Sequence, residues 1–212
     1  MRMRRKPNLA GRIERNAHLI IAEPEALRGI WKSHYGFEDL HIEIGCGKGL
    51  FTVETAKNTS NALLVALEKT SNVIVIALER VESTGIKNVK FINGYADDLL
   101  SFFASGEVSR IYINFCDPWP ANRHKKRRLT GLCFLELYRH VLCNGGEIHF
   151  KTDDLPLFEF SLQEFKRCGF TLSEISYNLH EHEVTGVMTD YEAKFHELGK
   201  KIFRCVAVNC NI

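Results

Sequence analysis

Apolar positions along the chain fall into two kinds of run that alternate. Short runs, LHIEIG (40–45), ALLVALE (62–68), VKFING (89–94), RIYINF (110–115) and GEIHFK (146–151), are rich in Ile and Val and bounded by Gly or polar residues, which predicts strands. Between them, SNVIVIALERVEST (71–84), GLCFLELYRHVL (131–142) and residues 155–168 repeat apolar side chains at three- and four-residue spacing, with Gly85, Gly145 and Gly169 as stop signals. GLF (49–51), directly after the first strand, leads into a further helix. Strand and helix in this alternation predict an α/β chain with a mostly parallel, doubly wound sheet and helices on both faces. Two late runs, FTLSEISYNL and KIFRCVAVN, alternate residue by residue, which predicts an antiparallel addition at one edge. No repeat, low-complexity segment or Pro/Gly/Ser linker divides the chain. The expected organisation is a flexible basic arm over 1–22 and one domain over 23–212.

Composition adds limits. With 212 residues and 45% hydrophobic content, the chain holds enough apolar material for one substantial core. The longest apolar run, ALLVAL, is strand-sized, so no membrane span is expected. Seven cysteines, with no C-x-x-C pair and most inside apolar runs, fit reduced thiols in a cytoplasmic protein. HEHE (180–183) offers two histidines and no third ligand nearby, so no metal is expected and the segment reads as solvated. Monomer and homodimer both remain open.

The net charge is only +2, so placement carries the message. Arg2, Arg4, Arg5 and Lys6 precede the first apolar pattern, with neither a Ser-rich amphipathic continuation nor an apolar h-region behind them. A second cluster, Arg123 to Arg128, puts Arg123, Lys125, Lys126, Arg127 and Arg128 around His124, directly after NFCDPWPAN. So dense a cationic run suits a polyanion better than a small acid.

In a doubly wound sheet, ligands bind beyond the carboxyl ends of the strands, and the chemistry-bearing residues occupy those positions. IEIGCGKGLF runs from a strand through Gly45 and Gly47 into a helix, a turn that lets a ligand approach the backbone. Glu68 ends the next strand, where a carboxylate accepts hydrogen bonds from ribose hydroxyls. That pattern fits a dinucleotide or S-adenosylmethionine. Glu43, beneath the glycine loop, would repel a pyrophosphate and suits a cationic ligand, and the spacing is G-x-G-x-G, so the methyl donor is favoured over a nicotinamide cofactor. Tyr95, Ala96 and Asp97 end the third strand, where an adenine would lie. Pro118 and Pro120 fix the backbone around Trp119 and hold Asp117 at the same rim. NFCDPW is also faintly similar to the Asn/Asp-Pro-Pro-aromatic motif of enzymes that methylate exocyclic amines, with Trp119 at the second proline position.

IEIGCGKG, Glu68, the DPWP segment with its RH.KRRLT continuation, GEIHFKTD and TDYEAKF, in this order, resemble the bacterial tRNA (guanine-N(7))-methyltransferase family over nearly the whole chain. The resemblance implies a Rossmann-like class I methyltransferase fold, S-adenosylmethionine as methyl donor and the variable loop of tRNA as acceptor. It also implies roles. Glu43, Gly45, Gly47, Glu68, Tyr95, Ala96 and Asp117 take the methyl donor, with Asp117 also catalytic. Ala121, Asp153, Thr189, Asp190, Tyr191 and Glu192 take the acceptor nucleoside, and Arg123 to Arg128 contact RNA. The chain departs from the family pattern at Tyr95, where an acid is common, and at Ala121 and Asn122, where Lys-Lys is common. A tRNA-binding protein without catalysis is the alternative those departures raise.

Overall fold

The computed structural model describes residues 6–210, so the expectations for Arg2, Arg4 and Arg5 lie outside the described residues. Seven strands, β1 (Asp39–Ile44), β2 (Ala62–Leu67), β3 (Val89–Ile92), β4 (Val108–Asn114), β5 (Leu142–Thr152), β6 (Phe170–Ser176) and β7 (Phe203–Asn209), form one sheet in the order β3-β2-β1-β4-β5-β7-β6. β1 to β5 are parallel, and β7 runs antiparallel between β5 and β6. The expected antiparallel addition is therefore present at one edge, with β6 as the outermost strand. Strand order reverses between β1 and β4, which places the ligand crevice above their carboxyl ends.

The α-helices are α1 (Leu9–Arg15), α2 (Trp31–Tyr35), α3 (Leu50–Asn58), α4 (Ser71–Thr84), α5 (Leu99–Phe102), α6 (Leu132–Val141), α7 (Leu155–Arg167) and α8 (Asp190–Glu197). β2 explains why helices are needed on both faces. Leu64 and Ala66 pack with α3 and α4 residues such as Phe51, Ile74 and Leu78, while Leu63, Val65 and Leu67 pack with Phe103, Leu135 and Tyr138 from the opposite layer. Every β2 residue is buried, as a parallel strand covered on both sides requires.

Two boundaries and one burial differ from the sequence reading. The chain joins the domain well before residue 22. Arg12 makes a two-pronged ion pair with Glu79 of α4 at 2.7 and 2.6 Å, Leu19 is buried, and Ile20 pairs with Phe91 of β3. Gly145 does not end α6. That helix stops at Val141 because Leu142 is already extended, and Gly145 serves instead, at φ +77, in the irregular start of β5. His180, read as solvated, is buried and bonded through Nε2 to Glu192 at 2.9 Å.

Gly85, by contrast, ends α4 as the sequence predicts, in the left-handed conformation at φ +68. Of the cysteines, 46, 168 and 205 are buried, 116 and 143 half-buried, and 133 and 210 exposed. No helix among the described residues is long and apolar enough to cross a membrane.

Candidate active site

A cleft of about 430 Å³ opens beyond the carboxyl ends of β1, β2, β3 and β4. One wall is the glycine turn. Gly45 N and Cys46 N both donate to Leu67 O, at 2.9 and 3.0 Å, which folds the turn back on β2. Gly45 and Gly47 have φ of +77 and +58, and a Cβ on either would meet no protein atom within 4 Å; of the two, Gly45 lines the cleft. Gly49 acts differently, since a Cβ there would lie 2.7 Å from the Ala77 Cβ, and it sets the close approach of α3 to α4.

Glu68 Oε2 accepts from Gly47 N at 3.2 Å and Oε1 from Thr70 N at 2.9 Å. Two backbone donors thus fix the carboxylate at the cleft wall while each oxygen keeps a further lone pair for a ligand. Tyr95, Ala96 and Asp97 line the neighbouring wall, with Tyr95 exposed. Glu43 lies below the turn rather than on the cleft wall. It is 2% exposed, accepts from the Thr52 hydroxyl at 2.6 Å, and burial pushes its pKa up to about 7. Asn114, the last residue of β4, borders the cleft, and its amide favours the charged form of Glu43. Yet Asn114 Nδ2 is buried with no partner in hydrogen-bonding geometry. Sequence reading passed over both Asn114 and Thr52. The signal for Asn114 was available, since it is the first polar residue after the apolar run of a strand at the crevice.

The backbone between β4 and α6 is unusual at two non-glycine residues, Phe115 and Trp119, with φ of +51 and +43. Each such conformation costs on the order of 1–3 kcal/mol and persists where surroundings enforce it. Asp117 lines the cleft, is exposed, and makes no side-chain hydrogen bond or ion pair among the described residues. Burial raises the neighbouring Cys116 thiol to about 12, so no thiolate competes with that carboxylate.

The basic run divides. Arg123, Lys125, Lys126 and Arg127 are exposed on a 3-10 segment (Asn122–Arg127), with Ala121 and Asn122 exposed before them. His124 stacks on the Trp119 ring at 5.6 Å and 13°, accepts through Nε2 from Arg123 Nε at 2.8 Å, and the Arg127 guanidinium lies 4.9 Å from the same Trp119 ring. Arg128 is turned inward and 7% exposed, so its side chain is not presented to an RNA in the way the sequence reading expects.

The acceptor-side residues also divide. Tyr191 donates to Asp153 Oδ2 at 3.2 Å and packs on Phe115, a cleft residue, with ring centres 5.0 Å apart. Burial, with Asp153 second, raises the Tyr191 phenol to about 12, so it stays a donor. Asp190 is held by Arg80 at 2.9 and 3.0 Å. Thr189 and Glu192 cap α8 reciprocally. Glu192 is wholly buried, bonded to Lys151 Nζ and His180, and cannot touch a nucleoside. Lys151, near the end of β5, is thereby paired inside the fold and is not free for a ligand. Among the described residues, no group of three or more His, Cys, Asp or Glu is placed to hold a metal ion.

Residues 38–205 match the family model described as a putative methyltransferase. By structure, the chain is similar to a 16S rRNA (adenine(1408)-N(1))-methyltransferase from Catenulisporales acidiphilia, with TM-score 0.60, 11% identity and coverage of 90% of this chain and 93% of that one. It is similar as well to a SAM dependent methyltransferase from Aquifex aeolicus, with TM-score 0.57, 14% identity and coverage of 96% and 99%. These two likenesses speak for the fold. By sequence, it is 45% identical over 210 residues to the tRNA (guanine-N(7)-)-methyltransferase of Geobacillus kaustophilus (strain HTA426), covering 98% of this chain and 97% of the relative. With Gly45, Glu68, Asp117 and Trp119 on one cleft, and with that relative matched over nearly its whole length, this chain belongs to the tRNA (guanine-N(7)-)-methyltransferase family.

Proposed function

We propose that this protein transfers the methyl group of S-adenosylmethionine to nitrogen 7 of a guanosine in the variable loop of cytoplasmic tRNA. One observation carries the reading: the cleft whose walls suit a nucleoside ends at Asp117, and the four exposed cations continue from the same turn.

The residues fit the methyl donor. Gly45 leaves backbone accessible on the cleft wall, Gly47 donates its N–H to Glu68, Glu68 offers lone pairs to ribose hydroxyls, and Tyr95, Ala96 and Asp97 border the place for adenine. Asn114 brings an orphaned amide and Glu43 a carboxyl poised near neutrality beneath the amino-acid end. S-adenosylmethionine, when bound, supplies an electrophilic methyl on a sulfonium.

Guanine nitrogen 7 has an in-plane lone pair and no proton to lose, so the chain needs no general base. What it must supply is alignment. Asp117, unpaired and exposed, accepts a hydrogen bond from the purine and offsets the positive charge the ring acquires. Tyr191 and Asp153 form the acceptor wall through Phe115, while Thr189, Asp190 and Glu192 act by holding Tyr191 in place. Ala121 carries no polar group, and Lys125 and Lys126 supply the cations on that side. Arg123 and Arg127 join them at phosphates, and a base leaving its stack to reach the cleft meets the Trp119 and Tyr191 faces.

Labelled methyl transfer to unmodified tRNA transcripts, followed by borohydride and aniline, which cut the chain at 7-methylguanosine, tests this. A single cut in the variable loop is expected. Transfer without a cut would overturn the choice of atom, and a cut elsewhere the choice of loop.

A further inference from the structure

We infer that Arg128 is a positioning residue for the Asp117 turn and contributes no phosphate contact; this rests on the reading of Asp117 as the catalytic carboxylate. Of the cationic run it alone has a buried side chain. Its Nε donates to Pro118 O at 2.9 Å and its Nη2 to Trp119 O at 3.1 Å, and its guanidinium carbon lies 4.3 Å from the centre of the Phe160 ring on α7.

Those two carbonyls belong to the residues that follow Asp117, and Trp119 is the one held at positive φ between two prolines. A planar fork that grips both carbonyls at once supplies the external hold such a backbone requires. The main chain of Arg128 is anchored too, since its N–H donates to Lys125 O at 3.1 Å and its O accepts from Gly131 N at 2.9 Å, just ahead of α6. Arg128 therefore joins the catalytic turn, the start of α6 and the aromatic face of α7. Displacing a reacting group by about 1 Å can cost on the order of 100-fold in rate, which is the scale of effect expected when this grip is lost.

The test compares wild type with Arg128→Lys, Arg128→Gln, Phe160→Leu, Arg127→Gln and Asp117→Ala, reading kcat, tRNA KM, the salt dependence of tRNA binding and acrylamide quenching of tryptophan emission. Lysine keeps the charge but cannot grip two carbonyls as a fork. Arg128→Lys should lower kcat about 10- to 100-fold, leave the salt slope unchanged and raise quenching of Trp119, Trp31 being fully buried and silent. Phe160→Leu should shift kcat and quenching in the same direction with no change of charge. Arg127→Gln should lower the salt slope by about 0.7–0.9, as loss of one phosphate contact does. Wild-type kcat in Arg128→Lys, or a salt slope lowered in the charge-removing Arg128→Gln as it is in Arg127→Gln, overturns the inference. Asp117→Ala with wild-type kcat would instead overturn the catalytic reading, and the quenching result would still judge the grip of Arg128 on the turn.

Discussion

At the scale of single residues, Glu43 shows how a site group acquires a property that its own side chain does not have. The ordinary carboxylate value of 4.5 rises to about 7 because the group is buried, an effect larger than the opposing hydrogen bond from Thr52. A folded-state value above the unfolded one means the fold prefers the protonated form. This contribution to stability is complete at acidic pH and is lost as pH climbs from about 4.5 through 7. Over that window the loss is roughly 2 to 3 kcal/mol. Glu43→Gln keeps an acceptor for Thr52 and removes the charge. The variant should be more stable than wild type at pH 8 by up to that amount and equal to it near pH 4.5, as read by urea denaturation at the two values. Wild-type affinity for S-adenosylmethionine should tighten as pH passes 7, because an ionised carboxylate is what an ammonium seeks, and the variant should lack that tightening. A wild-type denaturation midpoint that is flat with pH would sink the assignment.

Elements are where the sequence was most legible and where it stopped. β2 and α4 announce themselves because burial on both faces, or on one stripe, forces a period on the chain, and Gly85 marks its helix end by the conformation only glycine enters cheaply. α1 escaped because what fixes it is Arg12 meeting Glu79, a pairing 67 residues apart that no local pattern records. The cationic run escaped for a similar reason. Arg127 and Arg128 are neighbours of one type, and only the carbonyls of Pro118 and Trp119 decide which turns inward. In TDYE the capping box of Thr189 and Glu192 emerges only in the structure, and so does the further role of Glu192 in accepting from Lys151 of β5. That ion pair, with His180 on the other side of Glu192, is what ties α8 to the sheet. Lys151→Met would leave Glu192 as a buried charge short of its partner, at a cost of about 3–5 kcal/mol. Lys151→Met combined with Glu192→Gln should recover more than half of it. Denaturation of the two variants, with hydrogen exchange across α8, checks this, and a single-variant loss below about 1 kcal/mol would mean the pair is not what holds the helix.

For the whole molecule, the balance of 28 basic against 26 acidic residues means that no general positive field draws in a polyanion. Attraction has to come from where the charges are concentrated, and the described surface concentrates Arg123, Lys125, Lys126 and Arg127 beside the cleft. Lys126 and Arg127 also line that cleft, whereas Arg123 and Lys125 do not, so the latter two separate RNA grip from binding of the methyl donor. Each phosphate contact adds about 0.7–0.9 to the slope of log affinity against log salt, so Arg123→Gln with Lys125→Gln should lower that slope by between about 1.4 and 1.8. The tRNA KM should rise steeply above about 100 mM salt, while kcat at saturating tRNA and the affinity for S-adenosylmethionine stay within about twofold, because neither side chain reaches the reacting atoms. Binding of tRNA followed between about 50 and 200 mM salt reads the slope. A change smaller than about 0.5 would return this segment to an ordinary solvated face and move the search for the RNA grip to the basic residues that open the chain.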